Sequence, residues 1–106
     1  MKKKVIVDRK ANKEIGKFPR AVRNKFRALF KELRIEGKLK RPFAKKMTGQ
    51  LNLFEMRVNF NGQWRAFYAY FMKEFVIILS AFRKKTQKTP NSEINKAIKR
   101  LQKYRS

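Results

Sequence analysis

The chain has 106 residues, of which 42% are apolar and 13% aromatic, enough for one domain with a packed core and too few for a second. Lys and Arg number 30 against seven acids, a formal charge of +23, and Cys and His are both absent. This excludes disulfides, zinc–thiolate centres and imidazole chemistry, and it implies a polyanionic partner, because self-repulsion at such a charge opposes the compact state.

The cations fall in every segment rather than on one amphipathic helix, which favours nucleic acid over an anionic membrane. No apolar run approaches the ~20 residues of a membrane span. Met1-Lys2-Lys3-Lys4 resembles the start of a signal peptide, but Val5-Ile6-Val7 is too short to continue one, so a cytoplasmic protein is expected.

In chain order, Lys4 to Asp8 suits a short strand of β-branched residues, with Asp8 able to cap a helix over residues 9–16. Pro19 is placed to open a stronger helix, in which Val22, Phe26, Leu29, Phe30 and Leu33 form one apolar stripe that Gly37 closes. Its polar side carries Arg20, Arg23, Lys25, Arg27, Lys31 and Arg34, readable as a solvated face or as a patch for acidic partners. Residues 38–52, cationic and punctuated by Pro and Gly, read as a mobile loop.

Three strands follow, over residues 53–60, 64–71 and 75–82, with links short enough to make them antiparallel. Thr89 is a helix cap, Pro90 lies in the first turn and Glu93 near the positive dipole end. Ile94, Ala97, Ile98, Leu101 and Tyr104 then give the last helix its stripe. The expected fold class is α+β: a small antiparallel sheet with N-terminal helices and a C-terminal helix, in the order β-α-α-β-β-β-α.

The Asn61-Gly62 hairpin decides which side chains share a face. A two-residue turn pairs Val58 with Arg65 and sets a guanidinium among Phe54, Met56 and Val58, which is costly. A three-residue loop over Phe60, Asn61 and Gly62, with Gly62 left-handed, pairs Val58 with Trp64, Met56 with Ala66 and Phe54 with Tyr68. Arg57 then faces Arg65 across the strands, and Glu55 faces Phe67. The second register is preferred because it keeps Arg65 out of the apolar face. Two opposed arginines repel, so the face is either an Arg–Glu lattice in solvent or an anion site with two planar forks.

Leu53-Phe54-Glu55-Met56-Arg57-Val58, Trp64-Arg65-Ala66-Phe67-Tyr68 and the run Phe82-Arg83-Lys84-Lys85-Thr86-Gln87-Lys88-Thr89-Pro90 resemble the RelE/HigB-type toxins, most closely the phage-derived branch often found as HigB. The resemblance covers nearly the whole chain as one toxin domain, residues 1–106. It implies a ribosome-dependent mRNA endoribonuclease in which the 2′-hydroxyl attacks the adjacent phosphate without a metal. It also implies neutralisation by a cognate antitoxin of the HigA helix-turn-helix kind. By the same resemblance, Arg57, Arg65 and either Arg83 or Lys84 match the basic catalytic positions. Lys45, Lys46, Lys85 and Lys88 are the expected RNA contacts around them.

The sequence departs from the family where RelE carries a tyrosine after its last arginine and other HigB-type toxins carry a histidine. Tyr68, Tyr70 and Tyr104 all read as core here, which leaves Lys84 or Lys85, with a pKa lowered by neighbouring cations, as the base. Two other readings stay open: a ParE-like gyrase inhibitor on the same fold, and a basic RNA- or DNA-binding protein without chemistry.

Overall fold

The alternating, β-branched and aromatic runs of the second half build a five-stranded sheet, seen in a computed structural model that describes residues 2–49 and 52–106. The elements are β1 (Lys4–Val7), α1 (Arg9–Gly16), α2 (Arg20–Glu36), β2 (Ala44–Lys46), β3 (Phe54–Asn59), β4 (Gln63–Phe71), β5 (Phe75–Lys84) and α3 (Asn91–Arg105). Their order in the sheet is β1-β5-β4-β3-β2. The α+β class and the succession of elements agree with the sequence reading. Two refinements appear. β1 joins parallel to β5, making the sheet mixed, and the loop over residues 38–52 contains a short strand, β2, antiparallel to β3. Gln50 and Leu51, inside that loop, and Met1 lie outside the described residues.

The apolar stripe of α2 (Val22, Phe26, Leu29, Leu33) packs with Ala11 and Ile15 of α1 against Met56, Val58, Trp64, Ala66 and Tyr68. Gly37 ends α2 in the left-handed conformation, φ 79°, donating its N–H to the Leu33 carbonyl. A second core fills the opposite face of the sheet, where Ala97 and Leu101 of α3 meet Leu53, Phe67, Ala69, Ile77, Leu79 and Phe82. β4 and β5 are therefore covered on both sides, like strands of a three-layer domain.

Polar ties join the layers. Glu14 of α1 receives both terminal nitrogens of Arg100, each at 2.9 Å, and the Ala81 N–H at 3.0 Å. Asp8 caps α1 through the N–H groups of Lys10 and Ala11 and also accepts the Tyr104 hydroxyl at 2.8 Å. Burial and the Asp8 carboxylate push the Tyr104 phenol up to about 12. The fold holds the protonated phenol, so this contribution is intact below the ordinary tyrosine value of 10.0 and is lost as pH rises toward about 12. Tyr104→Phe should remove that component of alkaline unfolding, followed by circular dichroism from pH 9 upward. A curve identical to that of the unaltered protein would show that the bond to Asp8 contributes nothing.

Candidate anion-binding cleft

The hairpin adopts the three-residue loop: Asn59 pairs with Gln63, Val58 with Trp64, Met56 with Ala66 and Phe54 with Tyr68. Arg57 stands opposite Arg65, and Glu55 opposite Phe67, as the loop length requires. Within the loop Gly62 takes the positive φ expected of it, 137°, and Asn61 before it is also positive, at 47°.

The register is the expected one, but its rationale needs correction. Arg65 is not spared burial; it is 4% exposed, on a sheet face that also carries the second core. Its two terminal nitrogens are instead bonded locally, while its buried Nε has no hydrogen-bond partner. One terminal nitrogen donates to Asn59 Oδ1 and the Trp64 carbonyl, both at 3.0 Å, and the other donates to Gln63 Oε1 at 3.1 Å. Arg65 Nε lies 3.9 Å from Glu55 Oε1. Burial draws the Arg65 pKa below its ordinary value, Glu55 pulls it back up, and Arg57 lowers it further.

Glu55 is the anion at the centre of this arrangement. It is 1% exposed. Its Oε1 accepts from Arg57 Nε at 3.1 Å, and its Oε2 accepts from the Thr89 hydroxyl at 2.8 Å. Thr89 thus does not cap α3, as the sequence suggested; the helix begins after Pro90 with no side-chain cap. The hydroxyl ties the β5–α3 connection to β3 instead. Arg57, its side chain 30% exposed, spends Nε on Glu55 and has no described partner for its two terminal nitrogens. A fork held at its base and open at its tip suits a phosphate.

Above this pair lies a cleft of about 490 Å³, lined among others by Lys45, Glu55, Arg57, Lys84, Lys88 and Thr89. Lys45 reaches it because β2 pairs Lys45 with Glu55, placing both on one face. Lys46 pairs with Phe54 and points to the other face; Lys85 is exposed and is not part of the lining.

Which cation of the Arg83-Lys84-Lys85 run enters is decided by a bulge in β5. Tyr68 pairs with Ile78 but Phe67 with Ser80, leaving Leu79 without a partner in the ladder. Beyond it every side chain changes face relative to an unbroken ladder. Lys84 therefore comes to the cleft side, opposite Gln63, and Arg83 goes to the α2 side, opposite Trp64. There the Arg83 guanidinium stacks 5.1 Å from the Trp64 ring. A Cβ on Gly62 would stand 3.1 Å from its Nε, so the absent side chain admits the stack.

No tyrosine is near the cleft. Tyr68 is buried in the α2-side core, the Tyr70 hydroxyl donates to the Gly37 carbonyl at 2.8 Å, and Tyr104 is held by Asp8. Thr89 and the burial of Glu55 were missed in the sequence. The available signal was the strand WRAFYAYF, which lacks the alternation of a sheet with one wet face.

Solved structures share this fold at low sequence identity. The E. coli toxin RelE, as a mutant in the free state, superposes with a TM-score of 0.74 at 18% identity, covering 95% of this chain and 99% of that one. The isolated E. coli RelE toxin gives 0.64 at 19%, over 93% and 98%. RelE in the archaeal RelE–RelB complex from Pyrococcus horikoshii gives 0.63 at 22%, over 80% and 98%. No curated protein sequence matches the chain. Residues 13–102 match the family described as phage-derived protein Gp49-like (DUF891), and the chain belongs to that family.

Proposed function

We propose that this protein is the toxin of a type II toxin–antitoxin pair and cuts messenger RNA on the translating ribosome. The observation that carries this reading is the convergence of Arg57, Lys45, Lys84 and Lys88 on one cleft, around a carboxylate that is already fully engaged. Three lysines without an ion pair among the described residues, beside the open tip of Arg57, suit a phosphate acquiring extra negative charge. The fold shared with RelE, and the RelE–RelB complexes among the similar structures, support a cognate antitoxin.

In the proposed reaction the ribose 2′-oxygen attacks the adjacent phosphorus, the 2′-proton passes to a base, and the 5′-oxygen leaves with a proton from an acid. The products are a 2′,3′-cyclic phosphate and a free 5′-hydroxyl. Arg57 grips the non-bridging oxygens, and Lys84 is the cleft group placed to move a proton. Glu55 holds rather than reacts, since both its oxygens are committed to Arg57 and Thr89. Arg65 acts from beneath, its terminal nitrogens held by Asn59, Gln63 and the Trp64 carbonyl.

Purified protein added to ribosomes stalled on a defined message should truncate it within the A-site codon, as read by primer extension. Lys84→Ala should slow the cut at least tenfold, while Arg83→Ala, on the other face, should leave its rate within about twofold. Intact message at saturating protein would overturn the reading. The absence of any tyrosine from the cleft favours one second reading, RNA binding without cleavage, and ribosome association with intact message would establish it.

A further inference from the structure

A second cavity, of about 370 Å³, lies between α2 and β3 and shares Arg57 with the cleft. Its apolar lining includes the buried Leu29 and Val58 and the ring of Phe43, which is 47% exposed. Phe43 is tied to the shared arginine, because its carbonyl accepts the Arg57 N–H at 2.8 Å. Polar groups in the lining are few. Lys25 and Glu32 come from one face of α2, seven residues apart. Glu32 is half-buried, and no ion pair among the described residues uses it. An unpaired carboxylate is out of keeping with a chain holding 30 Lys and Arg against seven acids. Beside an RNA strand it repels every phosphate, so its use there is to read donors on a base.

We infer that this cavity is a base-reading pocket for the strand in the cleft and that it selects guanine. The inference rests on the reading of single-stranded RNA as the substrate and deepens it, naming the base beside the phosphate that Arg57 holds. Arg57 borders both cavities, so a phosphate on its open tip leaves the adjoining base at the mouth of the second. Phe43 offers that base an exposed ring to stack on. Glu32 decides which base fits. An ionised carboxylate only accepts hydrogen bonds, and it accepts two side by side. Guanine presents two adjacent donors on its Watson–Crick edge, N1–H and the 2-amino group. Adenine and cytosine present one donor beside an acceptor, and uracil one donor between two carbonyls. Lys25, in the same lining, supplies a donor for the O6 next to guanine N1. An apolar peptide side chain would fill the lining but leave Glu32 desolvated and without a donor.

The test uses short oligouridines with one central guanosine, inosine or adenosine, 2′-O-methylated throughout so that no attack can occur. Binding is read by fluorescence anisotropy at physiological salt. Inosine differs from guanosine only in lacking the 2-amino group. The unaltered protein should bind the guanosine strand about tenfold more tightly than the inosine or adenosine strand. Glu32→Gln should abolish the difference between guanosine and inosine without weakening binding to oligouridine itself. Phe43→Ala, at an exposed position outside the core, should weaken every strand by about tenfold. Equal binding of guanosine and inosine by the unaltered protein would overturn the inference, as would a guanosine preference that survives Glu32→Gln. Phe43→Ala with undiminished RNA binding would also overturn it, since a peptide side chain would then be the better occupant. Guanosine-selective binding by a protein that never cuts message would overturn the proposed cleavage and leave this inference standing. Cleavage at equal rates whichever base adjoins the cut would do the reverse.

Discussion

Glu55→Ala should lower the free energy of unfolding by about 3 to 5 kcal/mol, the cost of stripping a buried charge of its partner. Without the carboxylate, the Arg65 guanidinium stays 4% exposed directly across the strands from Arg57, with nothing to balance either. Thr89 loses the acceptor that ties the β5–α3 connection to β3. Glu55→Gln keeps an acceptor for Thr89 and should lose less. The double variant Glu55→Ala/Arg65→Ala should recover part of the loss, because the stranded cation goes with its partner. Urea unfolding of the four proteins measures this directly. A loss below about 1 kcal/mol for Glu55→Ala would show the site to be wet and the pair marginal.

Arg57→Ala should separate function from stability. Arg57 is partly exposed, and its removal leaves Glu55 with Thr89 and Arg65, so unfolding should change by no more than about 1 kcal/mol. The cleavage rate at saturating protein should fall by about 10²- to 10³-fold, the usual loss when one preorganised donor to a developing oxyanion is removed. Arg57→Lys should restore charge but not the fork, and recover only part of the rate. Cleavage by Arg57→Ala at the unaltered rate would mean the chemistry lies elsewhere. A folded, inactive Arg57→Ala beside a poorly folded Glu55→Ala would assign one residue to the phosphate and the other to the scaffold.

Much of the fold was legible because periodicity and turn chemistry are local. The α2 stripe, the Gly37 stop, the Asp8 cap and the hairpin register all follow from residues within a few positions of one another. The parts that were not legible depend on packing across the sheet. The second core on Arg65's face of the sheet depends on α3, which starts about 25 residues later in the chain. β2 is three residues long with two lysines, the form an edge strand takes to discourage pairing, and so it reads as loop. The choice between Arg83 and Lys84 turned on a single unpaired residue, Leu79. A bulge leaves no mark in Phe75-Val76-Ile77-Ile78-Leu79, where every side chain is apolar on either face.

The parallel pairing of β1 with β5 also sets the order in which the molecule can assemble. Lys4 meets Phe75 and Val7 meets Ile78, so the first strand stays unpaired until the polypeptide has been made well past its middle. The α-helices and the β3–β4 hairpin can form from nearby contacts, but the α2-side core closes only when β5 arrives with Val76, Ile78 and Ala81. Such long-range closure slows folding and concentrates cooperativity in one late event. The same β5 carries Lys84 to the cleft, so the cation cluster is completed only when the sheet is. Partly synthesised chains therefore hold the cationic residues without the geometry, and the cleft appears in a single step with the native sheet.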